Sequence, residues 1–269
     1  MFTIIILTFL LLAVALAVAI GMAMRNAGNR SWSFELSRVI GDAFGAISQA
    51  PLLFAVIVLI TSGAPMAAAF TMIGLIDWGP SPPLLAAFGL GLTALVLGQI
   101  GHLLLVAATL DLLDRRPLEL RAILARILPL LPSAMLLLIL FWLAIGVGFA
   151  FFVIPALVLA CLWFVVTPAM VAERLGAFAS FARSAELTAG VRWQLLLLLV
   201  IGGIFWTVAQ AMIGGLAAIT GDGLASTIVY TILTAMLGMI PPAVAASAYH
   251  TLRAQKEGLR VNDLEQVFA

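Results

Sequence analysis

Residues 127–172 contain no charged side chain. A stretch of that length cannot lie on the surface of a water-soluble domain, and it is too long for one pass through a hydrocarbon core of about 30 Å. It holds two helical crossings or one re-entrant hairpin, and Gly146, Gly148 and Pro155 are the breakers near its middle where the turn is expected. Shorter runs of the same character cover residues 2–24, 51–76, 84–110, 193–218 and 224–249. Only 9% of the 269 residues are charged and 64% are hydrophobic; a soluble domain carries about 25% charged residues. The expected fold is therefore all-α: a polytopic integral membrane protein of about seven transmembrane helices.

Charge fixes the expected orientation. With seven crossings and the N-terminus outside, all 13 Lys and Arg residues fall on one side. The loops opposite carry only Asp77 and Asp222. Basic residues near membrane segments favour the cytoplasm, so the C-terminus is expected to be cytoplasmic. A re-entrant hairpin at 127–172 gives the same charge sidedness, and both readings stay open. Residues 2–24 are read as a retained helix rather than a signal peptide, because no Lys or Arg precedes the run and it exceeds a usual signal-peptide core.

Between the crossings lie short polar segments with helical periodicity. The one from Glu173 to Trp193 is the clearest. Leu175, Phe178, Ala182 and Ala185 form a stripe with Arg183 and Glu186 beside it, as expected of an amphipathic helix lying on a membrane surface. Gly190 is the expected stop, and Arg192 with Trp193 an interface anchor. A similar helix is expected from Phe34 to Gln49, capped by Ser33, with Phe34, Ile40, Phe44 and Ile47 towards lipid. A third follows Pro117, with Leu118, Ile123, Leu124 and Ile127 as its apolar side. The order of surface helix and apolar hairpin thus recurs in units of about 34–111, 118–172 and 175–250. F-E-L-S-R-V-I at 34–40 can be laid over L-E-L-R-A-I-L at 118–124. The expected organisation is an extra N-terminal helix, 1–24, and a six-helix membrane domain, 25–269, ending in a short cytoplasmic tail.

Paired acid–base carboxylates, a nucleophile with its base, metal-ligand spacings and phosphate-cradling glycine loops are all missing from the sequence. The lone cysteine, Cys161, excludes an intrachain disulfide, and the net charge of +1 gives no nucleic-acid footprint. No catalytic residue, metal or cofactor is expected. Gln99 and His102 share one face of the third run, with Gly98 and Gly101 beside them, and Gln210 is a candidate partner. Polar groups at that depth either join helices by hydrogen bonds or line a cavity. Glycine pairs at Gly202-Gly203 and Gly214-Gly215 read as close helix contacts or as hinges. On the Glu173 segment, Arg174, Arg183 and Arg192 are either solvated at the surface or form a basic pocket for lipid head groups, with Glu173 and Glu186 holding the guanidiniums.

Four strings carry a resemblance: F-F-V-I-P-A at 151–156, V-A-E-R-L-G at 171–176, R-S-A-E-L-T-A-G-V-R-W at 183–193 and A-Y-H-T-L-R-A-Q-K-E-G at 248–258. The chain resembles the bacterial glycerophosphoryl diester phosphodiesterase membrane domain family over about 34–269. The resemblance implies a multi-pass bacterial inner-membrane protein without an assigned catalytic mechanism, since the catalytic domain that gives the family its name has no counterpart here. Ala156 stands where the family pattern has glycine. The expected function is to bind, transport or organise membrane lipids. The alternative is a scaffold that anchors a protein partner or forms a homo-oligomer.

Overall fold

The computed structural model describes residues 36–75, 84–151, 153–219, 221 and 223–268, without the side chains of 70–75, 84–87 and 259–268. The expected helix 2–24, and with it the count of seven, lies outside these residues. So do Ser33, Phe34, Asp77 and Asp222. All regular secondary structure among the described residues is helical, with no strand.

The helices are α1 (Leu36–Gln49), α2 (Pro51–Val58), a π turn (Leu59–Gly63), α3 (Ala64–Leu75), α4 (Leu84–Leu113), α5 (Leu120–Ile127), a 3-10 turn (Leu128–Leu130) and α6 (Leu131–Ala150). They continue with α7 (Val153–Leu162), α8 (Val166–Glu173), α9 (Ala177–Leu187), α10 (Arg192–Ile219), α11 (Leu224–Leu237) and α12 (Ile240–Phe268). Six stretches are long and apolar enough to cross a bilayer: Pro51–Ala69, Phe88–Leu113, Leu120–Ala150, Val153–Glu173, Arg192–Ile219 and Leu224–Gly258. Large apolar side chains on these stretches point away from the protein: Ile139, Trp142 and Leu143 are 60–63% exposed. Water would not tolerate so much apolar surface, and lipid does. The chain is a multi-pass membrane protein.

Each pair of crossings has one continuous and one interrupted arm, and proline explains each interruption. A proline in a helix lacks the N–H for the preceding turn, and its ring crowds the carbonyl four residues back. Pro65 follows the π turn, where the Ala64 N–H bonds the Leu59 carbonyl five residues back. Pro168 follows the break at Trp163–Val165, and Pro241-Pro242 follow the break at Gly238-Met239. Prolines also bend α5 into α6: Pro129 lies in the 3-10 turn and Pro132 in the first turn of α6. The turn between α6 and α7 falls just beyond Gly148, as expected. A methyl group on Gly148 would come within 2.9 Å of the Ala156 backbone, so only glycine fits there.

The core lies where α4, α8 and α12 meet, with α1 packed on α4 and α12. Ala107, Ala169, Ala243, Ala246 and Ala248 are fully buried there, and such small residues let membrane helices approach closely. One expectation is overturned in α1. Ile47 does not face lipid; it is 8% exposed and packs inward with Val39, Ala43 and Ala46, while Phe44 stays exposed. The inward face of α1 is used up by α4 and α12, which leaves lipid only the flank of Phe44. The apolar side read for α5 packs on the protein: Ile123 and Ile127 are buried, with Leu124 and, just before the helix, Leu118 packed beside them.

The short helix at Ala177–Leu187 divides its faces differently from its apolar stripe. Ala177, Ser180, Ser184 and Leu187 are buried against the protein, whereas Phe178 is 71% exposed. The small residues Ala177, Ser180 and Ser184 seat α9 on the bundle together with Leu187 and Phe181, while Phe178 turns outward. Gly190, with φ 91°, makes the turn out of α9 as expected.

Candidate functional site

Charged side chains collect where the C-terminal ends of α4 and α8 meet the middle of α12. Arg183 on α9 is the centre of one group. Its Nε donates to both carboxylate oxygens of Glu173 at 2.8 and 3.0 Å. Its Nη1 donates to Glu186 at 3.2 Å and its Nη2 to Glu257 at 2.7 Å. Tyr249 donates its hydroxyl to Glu173 at 2.8 Å, and Arg253 donates to Glu257 at 2.8 Å. The Lys256 ammonium donates to the Glu186 carbonyl. Burial alone would push the Arg183 guanidinium down; the bonds and charges of Glu173 and Glu186 outweigh it and hold the group above the usual arginine range. Arg183 is therefore a permanent cation whose fork is spent on three carboxylates of its own chain.

A second ion pair joins α4 to α5. Arg126 grips Asp111 with both terminal nitrogens, at 3.0 and 2.7 Å, and Asp111 is 5% exposed. This bidentate geometry is the strongest form of the interaction. Asp111–Arg126 and Glu173–Arg183 share one design, in which an acid at the end of a long helical arm holds an arginine on the next short helix. Between the two pairs lies a polar cleft of about 280 Å³, bordered by Asp114, Arg116, His250 and Arg253. His250 faces Asp114 at 3.4 Å.

The expected basic pocket is only partly assembled. Glu173 and Glu186 do hold Arg183. Arg174 and Arg192 are exposed and form no ion pair among the described residues. Arg174 sits in the left-handed conformation, φ 52°, as the residue that ends α8.

The rest of the R-S-A-E-L-T string has a structural account. The break before Pro168 diverts the Val166 N–H to the Trp163 carbonyl, so the Leu162 carbonyl loses its helical donor. Ser184 donates its hydroxyl to that carbonyl at 2.9 Å and Thr188 at 3.3 Å. Both residues are fully buried. The string pins α9 to the broken arm. Glu257, Tyr249, Asp111 and Arg126 were not singled out from the sequence. The acid–arginine spacing across each helix junction was the available signal.

Deeper in the bundle, His102 lines a cavity of about 230 Å³ together with Ser62, Gly98, Trp206 and Thr234. Among the described residues no charged side chain lines this cavity. Gln99 is buried, 7% exposed, but does not line the cavity. Gln210 does not reach His102; its side-chain oxygen accepts from the Thr234 hydroxyl at 3.3 Å. Gly101 makes a close helix contact, since a methyl group there would lie 2.0 Å from the Thr61 hydroxyl oxygen. Gly98 has open space beside it.

A third cavity is an apolar groove of about 470 Å³ between α1, α10 and α12. Ile40, Phe44, Phe164, Phe205, Trp206 and Val244 are among its walls. Gly202 and Gly203 also line it, and a methyl group on Gly202 would meet nothing within 4 Å. Gly214 and Gly215 have equally open surroundings. Gly202, Gly214 and Gly215 thus do not mark close packing; at Gly202 the missing side chain is what leaves the groove open.

No family model matches the chain, and no curated protein or solved structure matches it; the resemblance to the glycerophosphoryl diester phosphodiesterase membrane domain family rests on its four strings alone.

Proposed function

We propose that this is a non-enzymatic protein of the bacterial inner membrane that binds, and so transports or organises, lipids at the cytoplasmic leaflet. The reading includes seven crossings, the N-terminus outside and the C-terminus in the cytoplasm, with α1, α5 and α9 as amphipathic helices at the inner surface. The distribution of the 13 basic residues supports the orientation. The exposed Phe44 and Phe178 are suitably placed to enter the interface from two of these helices.

The observation that carries the reading is the apolar groove between α1, α10 and α12. It opens between helices whose outer surfaces already face hydrocarbon, and among the described residues its walls are aliphatic, aromatic and glycine residues with no charged side chain. An acyl chain fills such a space without losing any hydrogen bond. The self-contained charge network argues for a second feature. Because Arg183 is held by Glu173, Glu186 and Glu257, lipid recognition falls to the apolar groove more than to that guanidinium.

Native mass spectrometry of the full chain in mild detergent tests this. Wild type is expected to retain lipid, and Gly202→Trp, which puts an indole into the groove, is expected to retain several-fold less. Equal retention by both removes the groove from the function. A stoichiometric protein partner with no lipid retained by wild type favours the scaffold reading instead.

A further inference from the structure

The His102 cavity and the apolar groove share a wall. Trp206 lines both, and the Pro241-Pro242 pair contributes Pro241 to the groove and Pro242 to the cavity. The two spaces differ in chemistry. The groove is walled by Phe44, Phe164, Phe205 and aliphatic side chains. The cavity is lined by residues that carry hydrogen-bonding groups: His102, Ser62, Trp206 and Thr234, whose hydroxyl donates to Gln210. Neither lining contains Lys, Arg, Asp or Glu among the described residues.

Depth sharpens the contrast. His102 lies in the span Phe88–Leu113, 14 residues from its first residue and 11 from its last, counting by residue number. At about 1.5 Å per residue that is close to the middle of the hydrocarbon. A phosphate has no cation to meet it there, and transferring an unpaired charge to that depth is prohibitive. An uncharged head that exchanges hydrogen bonds suits the site. An ionisable side chain at mid-membrane depth is itself a mark of function. The π turn beside it adds a second mark, because such turns cluster at functional sites and this one supplies Ser62 to the cavity.

We propose that the cavity and the groove are two subsites for one amphiphile, with an uncharged hydrogen-bonding head against His102 and its long apolar chain in the groove, separated by the Trp206 indole. A quinone and a long-chain isoprenoid alcohol share this chemistry. The proposal rests on the lipid-binding reading and names the class of lipid.

The test uses the full chain in detergent with three probes: decylubiquinone, a twenty-carbon isoprenoid alcohol and phosphatidylglycerol. Native mass spectrometry reads occupancy, and thermal melting checks that each variant folds. One neutral-headed probe is expected to bind at one per chain. His102→Leu is expected to weaken it at least tenfold while leaving phosphatidylglycerol retention unchanged, and His102→Gln, which keeps a hydrogen-bonding side chain, to restore most of the binding. Gly202→Trp is expected to weaken both classes. Whichever neutral probe responds to His102 identifies the head as carbonyl or hydroxyl. Retention of phosphatidylglycerol with no His102-dependent binding of either neutral probe overturns this inference and leaves the lipid-binding reading standing. Retention of none of the three overturns both. A photoreactive residue at Phe205 supplies an independent readout: cross-links to the neutral probe support the assignment, and cross-links to residues 2–24 of the same chain overturn it.

Discussion

Arg183 and Glu257, 74 positions apart in sequence, meet with Nη2 2.7 Å from Oε1. This contact ties the short helix α9 to the last helix, and the same guanidinium ties α9 to Glu173 at the end of α8. Three elements are held by one side chain.

Removing that side chain is expected to cost stability. The Arg183 and Glu173 side chains are each 20% exposed, between a surface pair worth up to about 1 kcal/mol and a buried one whose breaking costs about 3–5 kcal/mol. Arg183→Ala is expected to destabilise by about 2 kcal/mol, read as a lower melting temperature in detergent. Arg192→Ala, which breaks no ion pair, is expected to stay within about 0.5 kcal/mol of wild type. Equal shifts for the two variants contradict the structural role of Arg183.

Ser184 and Thr188 share one acceptor, so their losses will not add. With either hydroxyl present the Leu162 carbonyl keeps a donor, and Ser184→Ala or Thr188→Val alone is expected to cost about 1 kcal/mol or less. With both gone, a buried carbonyl is left unsatisfied, at about 1–3 kcal/mol. The double variant should therefore cost more than the sum of the singles, as measured in a double-mutant cycle. Strict additivity contradicts the shared carbonyl.

Sidedness has a direct check. Cys161, the only cysteine, is buried, so engineered cysteines can be read against a quiet background. Arg121→Cys and Ala179→Cys are expected to react with an impermeant thiol reagent from the cytoplasmic side only, and Ala225→Cys from the other side only. Residues 121 and 179 reacting from opposite sides would overturn the topology.

The helical architecture was legible because bilayer crossings are written in long runs of one character. Residues 84–110, 193–218 and 224–249 read from the sequence fall on α4, α10 and the α11–α12 arm. Proline accompanies the breaks in the helical arms, as at Pro65, where a π turn absorbs the strain. The inward turn of Ile47 was not legible, because a lipid-facing and a protein-facing isoleucine have the same hydropathy. Neither was Ser184: a serine on a polar helix reads as solvated until the orphaned carbonyl opposite it is seen. Gly202 failed for the reverse reason, since a glycine in a membrane helix fits close packing and open space equally well. Of the site residues, the ties of Arg183 to Glu173 and Glu186 were legible from their nearness in sequence, and the tie to Glu257 was hidden by its distance.

The position of α12 bears on how the protein is made. This final helix packs on α1, α4, α8 and α9, which arise far earlier in synthesis. Until its residues leave the ribosome, Arg183 has no Glu257 and Glu173 has no Tyr249. A nascent chain halted before that point carries an unfinished polar cluster and leaves the flanks of α1 and α4 that α12 covers without their neighbour.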